Sequence, residues 1–282
     1  MKTAIVLPVY GCWDYVRKTL KSLSETTVSE MYSLFLIVNP NSIDDKKLSK
    51  EFGELFPAKE FLEKCYQDFF EDDDVNVHIT YNDVNIGVSR SWNLGIKNAI
   101  RSENGVKEYD SFIILNSDVE LSDNCVQNLR SAISTNCLLN PVLSEGDMSD
   151  IDLSSLKSKF KQSSQNHLKK SKGICGPCFM ITRPVIDRFG IFDERFRYLW
   201  FEDVDFLFKL RFCGIQQVQV TGSHVHHYGQ KSSKDLDHID DHKMMNKKRF
   251  EQKWCVALNG TFHSSTSPDL EQLREGSGYV VG

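Results

Sequence analysis

At 282 residues, with 40% hydrophobic and 26% charged side chains, the chain can bury a substantial core and falls in the globular class. A net charge of −5 with no dense basic run argues against a nucleic-acid surface. No apolar stretch approaches the roughly 18 residues that span a bilayer, and the opening MKTAIVLPVYG, broken by Pro8, does not predict a secretory signal.

Thr3 to Val9 (TAIVLPV) predicts a buried strand that ends in the turn Pro8-Val9-Tyr10-Gly11. Asp14 opens an amphipathic helix with Val16, Leu20 and Leu23 at helical spacing. Leu34 to Val38 (LFLIV) is a second strand, stopped by Asn39-Pro40-Asn41-Ser42. Strand, helix and strand at this spacing imply parallel pairing with a right-handed crossover. Residues 44–74 are helix-like, charged and rich in aromatics, and longer than a crossover needs, so they predict an elaboration on the sheet. Val75 to Tyr81 alternates as a third strand, Asn82 to Gly87 is a loop, and Ser89 to Ile100 is a helix. Phe112 to Leu115 (FIIL) reads as a strand buried on both faces. Asp123 to Ile133 is another helix. Such alternation is a nucleotide-binding type of half-domain, whose ligands sit at the carboxyl ends of the strands.

Residues 140–172, dominated by Ser and Lys in SSLKSKFKQSSQNHLKKSKG, predict a surface insertion. Order resumes at Gly173. A strand covers Cys178 to Thr182, a short helix Pro184 to Phe189, and an aromatic loop Asp193 to Tyr198. Phe201 to Phe212 is a helix, Gln217 to Thr221 the final strand, and a His-rich loop follows. Asp241 to Trp254 is a charged amphipathic helix, and the end of the chain predicts a polar tail.

Eight cysteines, mostly single and in apolar or amphipathic segments, predict buried thiols in a reducing compartment, the cytoplasm by default. Cys175-Gly-Pro-Cys178 matches the thioredoxin redox motif letter for letter. That motif needs a helix N-terminus to lower the first thiol's pKa, whereas a β-type sequence broken by proline follows here.

Three segments carry candidate chemistry. Asn116-Ser117-Asp118 follows the FIIL strand and brings a carboxylate and an amide to the sheet edge, placed for a metal ion or a phosphorylated ligand. Read alone, the same residues are ordinary turn formers. Glu202-Asp203-x-Asp205 opens a helix, where acidic residues answer the dipole. Trp200 and Phe201 before it supply an apolar rim that can raise a carboxyl pKa toward that of a general base. In Ser223 to Gly229, alternation puts His224 and His226 on one face and His227 just beyond the strand end. Imidazole there can pair with a carboxylate from another strand around a metal, or stand idle at the surface.

The order of these segments resembles the inverting glycosyltransferases of family 2, of GT-A fold, particularly the rhamnosyltransferase-like members. The likeness runs from Lys2 to Trp254, interrupted at 44–74 and 140–172. AIVLPVYG resembles the family's first strand and nucleotide-binding turn, and Asn85-Ile-Gly87-Val-Ser-Arg90-Ser-Trp-Asn93-Leu-Gly95-Ile its Asn-x-Gly segment. LNSDVEL stands where these enzymes carry an Asp-x-Asp metal motif. Gly176-Pro-Cys-Phe-Met-Ile-Thr-Arg183, Phe189-Gly-x-Phe192-Asp193-Glu194-x-Phe196 and Glu202-Asp203-x-Asp205 resemble the acceptor-side block. His226-His227-Tyr-Gly and Asn246-x-x-Arg249-Phe250-x-x-Lys253-Trp254 close the pattern.

The resemblance implies an α/β fold of GT-A type: a Rossmann-like mixed, mainly parallel sheet flanked by helices, in a single domain with two insertions. Residues 1–121 would hold a nucleotide-sugar donor, 122–258 the acceptor and the catalytic groups, with 259–282 as the tail. Pro8, Val9 and Tyr10 should border base and ribose. Asn39 stands where many relatives have a base-reading Asp, and Asn85, Arg90, Ser117 and Gly176 join the donor-binding set. Asn116 takes the place of the metal motif's first Asp; a neutral amide binds a hard cation less well, so it is expected to hydrogen-bond the nucleotide. Asp118 should bind a divalent cation, Mn2+ or Mg2+, that bridges the diphosphate, with His226 or His227 completing the shell. Asp203 should be the general base, supported or replaced by Glu202, and Trp200 and Phe201 should meet the acceptor. The implied partners are a UDP-, dTDP- or GDP-linked donor and a glycan acceptor, and the implied outcome is transfer with inversion. A sugar nucleotidyltransferase shares a similar sheet but should carry a Gly-rich, cationic triphosphate loop after the first strand, which PVYGCWDY lacks. A non-catalytic nucleotide-sugar-binding module would not need both Asp118 and Asp203.

Overall fold

In the computed structural model, strands β1 (Lys2–Tyr10), β2 (Tyr32–Asn39), β3 (Asn76–Tyr81) and β4 (Tyr109–Leu115) pair in parallel in the order β3-β2-β1-β4. Parallel neighbours require crossovers, and helices supply them. Helix α1 (Trp13–Thr26) joins β1 to β2, α2 (Ser42–Phe52) and α3 (Pro57–Phe70) lie between β2 and β3, and α4 (Val88–Ser102) leads to β4. The structure describes residues 2–52, 57–71, 75–103, 108–134, 137–145, 168–170, 176–229, 231 and 236–255.

The later elements are β5 (Val119–Leu121), α5 (Cys125–Ser131), β6 (Cys137–Glu145), β7 (Leu168–Lys170), β8 (Cys178–Thr182), α6 (Arg183–Phe189), α7 (Glu202–Phe212), β9 (Gln216–His227) and α8 (Ile239–Trp254). Strand β8 is antiparallel to both β4 and β6, and β9 runs parallel to β6 but antiparallel to β5 and β7. Strands β1, β2, β3, β4, β6 and β9 therefore share one direction. This is the mixed, mainly parallel α/β sheet of GT-A type that the sequence predicts.

Alternation along β1 sorts the two faces. Ile5, Leu7 and Val9 join Val16, Leu20, Leu34 and Leu36 in one core, while Ala4 and Val6 join Trp92, Ile96, Phe112 and Phe179 in the other. A strand covered by helices on both sides has no position for a polar residue, which is why it reads as an unbroken apolar run. A smaller cluster of Phe196, Phe201, Val204, Phe208 and Phe250 bolts α8 onto α7.

Three expectations change. Residues 44–74 hold two helices, α2 and α3. Within the stretch expected as an insertion, 140–145 is the end of β6 and Leu168–Lys170 is β7, and the rest of 140–172 lies outside the described residues. Pro141 disguised β6; it sits where the register with β9 shifts between Asn140 and Val142, a place where a missing N–H is tolerated. The His-rich stretch expected to be a loop is the second half of β9, paired with both β5 and β6. The tail at 259–282 lies outside the described residues, as does Cys175. The other cysteine of that motif, Cys178, is fully buried at the start of β8 rather than near a helix N-terminus, as the sequence context argues. Among the described residues, no helix is long and apolar enough to cross a membrane.

Helix α4 lies so close to β1 that a Cβ on Gly95 would sit 2.3 Å from Val6 Cγ1. Gly95→Ala should therefore destabilise the fold by about 1–3 kcal/mol through overpacking, measured as a lower urea midpoint at unchanged slope.

Candidate active site

Strand ends meet at one edge of the sheet: Tyr10 of β1, Asn39 of β2, the loop after β3, Asn116-Ser117-Asp118 after β4, Glu145 of β6 and His227 of β9. Strands running the same way deliver their carboxyl ends to the same side, where open α/β sheets bind ligands. A cleft opens there. Among the residues expected at a site, it is lined by Pro8, Tyr10, Asn39, Asn85, Asn116, Ser117, Asp118, Gly176, Trp200, Glu202, Asp203 and His227.

The remainder of the expected set lies elsewhere. Val9 is fully buried, because period-two alternation turns it away from Pro8 and Tyr10 into the core. Arg90 is exposed on α4, 3.7 Å from Glu194. Phe201 is buried against Phe250, with ring centroids 5.5 Å apart. His226 is buried on the other face of β9, its Nδ1 3.0 Å from Ser144 Oγ and its ring edge-on to Tyr228. It takes no part in the cleft.

The asparagines differ in what they have left to offer a ligand. Asn39 is buried and its amide is committed: Nδ2 donates to Ser91 Oγ (3.0 Å) and Val9 O (3.4 Å), and Oδ1 accepts from Asn82 Nδ2 (3.1 Å) and Ile86 N (3.2 Å). It shapes the cleft floor. Asn85 Oδ1 accepts from Gly87 N at 2.9 Å, closing the turn that leads into α4. Asn116 is anchored by its backbone, which donates to Pro177 O at 2.9 Å. Among the described residues its side-chain amide has no partner, and it lines the cleft.

In the cleft the His227 imidazole lies between two carboxylates, those of Asp118 and Glu145. Nε2 of His227 lies 3.3 Å from Asp118 Oδ1, and its Nδ1 lies 3.4 Å from Glu145 Oε1. The Asp118–His227 pair is built by the β5–β9 ladder, in which His227 faces Val119, with Tyr228 N donating to Asp118 O at 3.0 Å. Burial pulls the imidazole pKa down, but the carboxylates of Asp118 and Glu145 on either side raise it by more, so it ends above the ordinary histidine value. An imidazole and a carboxylate aimed at one point are a fitting donor pair for a divalent cation. Among the described residues, no group of three or more His, Cys, Asp or Glu side chains has metal-holding geometry. A cation here would have few protein ligands.

The acidic pair is held differently. Tyr198, Trp200 and Phe201 all have left-handed backbones, with φ of 62°, 68° and 71°. For bulky residues such conformations are true outliers, costing about 1–3 kcal/mol each, and they persist only where surroundings over-determine them. The turn they make swings the first residues of α7 inward. Glu202 and Asp203 are 6% and 8% exposed, and both line the cleft. Burial raises the Asp203 carboxyl to about 6, against the pull of the Val204 N–H, which donates to Oδ1 at 2.8 Å. Burial raises Glu202 well above the ordinary range too, and the neighbouring Asp203 charge adds to this. Among the described residues, Glu202 Oε2 is buried with no hydrogen-bond partner. Asp205 is used up structurally, taking Lys253 Nζ and Trp254 Nε1 at 2.8 Å each. Gly176 completes the pocket by its lack of a side chain: a Cβ there would meet Asp203 Oδ2 at 2.7 Å.

Several lining residues were not foreseen, among them Leu143, Glu145, Pro177, Tyr198, Leu199 and Leu236. Glu145 fell inside the expected insertion, where nothing in the sequence marked it. Tyr198 had a signal, an aromatic just before an acidic pair.

No family model and no curated sequence matches this chain. Solved structures do. The fold is similar to that of GalNAc-T7, crystallised with UDP, GalNAc and Mn2+, at a TM-score of 0.59 and 15% identity over 98% of this chain. It is similar to mannosyltransferase PcManGT from Pyrobaculum calidifontis, in complex with GDP-Man and Mn2+, at 0.58 and 10% over 96%. It is also similar to residues 1–349 of S. aureus TarS, at 0.55 and 12% over 89%. This chain spans 54% of the GalNAc-T7 chain, 68% of PcManGT and 70% of TarS 1–349. At such identities the likeness is one of fold, and the fold is the GT-A type.

Proposed function

We propose that this protein is an inverting glycosyltransferase of the family 2, rhamnosyltransferase-like kind, a hexosyltransferase that moves a sugar from a nucleoside-diphosphate donor to a hydroxyl of a glycan or other acceptor. The observation that carries this reading is the sharing of one cleft by a buried carboxyl of raised pKa, Asp203, and a carboxylate–imidazole pair, Asp118 and His227. The UDP, GDP-Man and Mn2+ held by the structural neighbours support a donor of the UDP, dTDP or GDP class and a divalent cation, Mn2+ or Mg2+. Cys65, Cys125, Cys137 and Cys178 are buried and form no disulfide among the described residues, which supports a cytoplasmic location.

In this mechanism Asp203 accepts the proton of the acceptor hydroxyl as that oxygen attacks the anomeric carbon. The bond from that carbon to the β-phosphate oxygen breaks, and its electron pair leaves with the nucleoside diphosphate. One displacement inverts the configuration. A base whose pKa lies near the working pH is suited to the task. Asp118 and His227 would hold the cation, which when bound supplies charge neutralisation for the leaving diphosphate. Asn116 offers its free amide to the nucleotide, and Trp200 gives the acceptor an aromatic face beside the base.

The sugar nucleotidyltransferase reading loses ground at the β1–α1 turn. There Asp44 Oδ2 takes the Cys12 N–H at 2.7 Å, and a Cβ on Gly11 would meet Asn41 and Asp44 at 2.5 Å. A carboxylate already fills the place where that chemistry needs an anion cradle. A non-catalytic binding module would gain nothing from burying Asp203 and Glu202, which costs stability.

Four outcomes test the reading. Asp203→Asn should lower turnover with nucleotide sugars by about 10²–10⁴-fold while donor binding, followed by calorimetry, is kept; full transfer in this variant ends the assignment of the base. In the wild type kcat/KM should drop below pH about 6, as Asp203 takes up its proton. The same shift has a stability sign. With the folded pKa raised from 3.8, stability is greatest below that value and is lost as pH rises through about 6. Asp203→Asn should thus melt higher than wild type at pH 8. Asp118→Ala should abolish the Mn2+-dependent part of the thermal shift that UDP or GDP produces.

A further inference from the structure

The left-handed turn at Tyr198 to Phe201 has a keeper far along the chain. Asn246, in the middle of α8, is 1% exposed, and its Nδ2 faces three carbonyls of the turn: Arg197 O at 2.8 Å, Leu199 O at 2.9 Å and Trp200 O at 3.2 Å. An amide NH2 carries two protons, so one of these bonds is shared between acceptors. The other end of the amide is fixed too, since Arg249 donates to Asn246 Oδ1 at 2.9 Å. That bond turns the donor side toward the turn and leaves the acceptor side away from it.

We propose that Asn246 is a positioning residue for the acidic pair: its amide clamps the 197–200 backbone in the left-handed path that faces Glu202 and Asp203 into the cleft. This rests on the reading of Asp203 as the base. Without a donor at this point, three carbonyls would be left crowded together inside the protein, and bulky residues would relax out of the left-handed region. The turn is the approach to α7, so its path sets the aim of that helix's first side chains. Phe201 is the residue before the helix; it has no side-chain cap, and its carbonyl accepts from Asp205 N at 2.8 Å.

Helix α8 does not rely on Asn246 for its own place. Phe250 is fully buried among Phe201, Phe208 and its neighbours, and Lys253 and Trp254 bond to Asp205. A change at position 246 should therefore act on the turn and leave the helix docked.

The test is Asn246→Asp, the same shape with an acceptor where the donor was, beside Asn246→Ala. Hydrogen exchange on the full chain reads the clamp without any substrate. Exchange at residues 198–205 should rise at least tenfold in both variants while α8 around Phe250 stays protected. Kinetics read the consequence. The kcat for nucleotide-sugar turnover should drop about 100-fold, as for a misplaced catalytic group, with the donor KM unchanged. The acidic limb of the pH profile should move below 6 as Asp203 gains water. Unchanged exchange at the turn overturns the clamp whatever the activity. Altered exchange with turnover within threefold of wild type and an unmoved pH limb shows a structural bond only, and overturns the positioning role. If wild type turns over no nucleotide sugar, the proposed function fails, and the exchange result still decides the clamp.

Discussion

Two carboxyl groups on successive residues, Glu202 and Asp203, are buried at the N-terminus of α7, and a charge kept from water there is costly unless something nearby favours it. The fold supplies a little of that help: the helix terminus and the Val204 N–H favour the negative form, while burial opposes it and wins. The result is an Asp203 carboxyl held near the middle of the pH scale. The opposing stability comes from next door. Phe196, Phe201, Val204, Phe208 and Phe250 form a dry cluster under the same turn, and Lys253, as an ion pair, and Trp254, as an N–H donor, offset part of the cost of burying Asp205. A strained, charged segment is tolerable because an apolar cluster and two side chains of α8 over-determine it.

The sheet was legible because its signal is physical and local. TAIVLPV, LFLIV and FIIL can only be strands covered on both faces, and the helices between them oblige parallel pairing. The carboxyl-edge cleft follows from that pairing, so Tyr10, Asn116 and Asp118 could be placed there from sequence. Strand β6 was illegible for an equally physical reason. Asn140 and Pro141 signal a break, but a proline is harmless at a register shift, and only the tertiary pairing reveals the shift. Losing β6 to an insertion hid Glu145 with it.

The histidines show how far alternation reaches. Period two separates His226 from His227, yet it does not say which of them faces the cleft. Between its two pairings with β6, strand β9 shifts register: Asn140 faces Gln219, but Val142 faces His224. Extra residues in β9 at that point reset the parity with respect to the first half of the strand. His227 reaches Asp118 because of the reset, and His226 turns to Ser144 and Tyr228. A carboxylate–imidazole pair drawn from residues 109 apart in sequence depends on a bulge that no single segment announces.

The loop from Phe192 to Trp200 carries the same lesson further. It has little secondary structure of its own, and its path is written in side chains elsewhere. Asn93 on α4 holds Phe192 at both ends of the peptide unit, donating to its carbonyl at 2.9 Å and accepting from its N–H at 3.0 Å. Ser89 Oγ holds Phe196 O at 2.8 Å, Val88 N holds Tyr198 O at 2.8 Å, and Asn246 on α8 holds the carbonyls on either side. Gly87 leaves room for this, since a Cβ there would lie 2.7 Å from Tyr198 N. Every one of these bonds is made to backbone, while the side chains of Tyr198, Leu199 and Trp200 line the cleft, Tyr198 against the His242 ring and Trp200 under Lys243 Nζ. A loop built this way can change its cleft-facing side chains while the asparagines on two distant helices keep its backbone path.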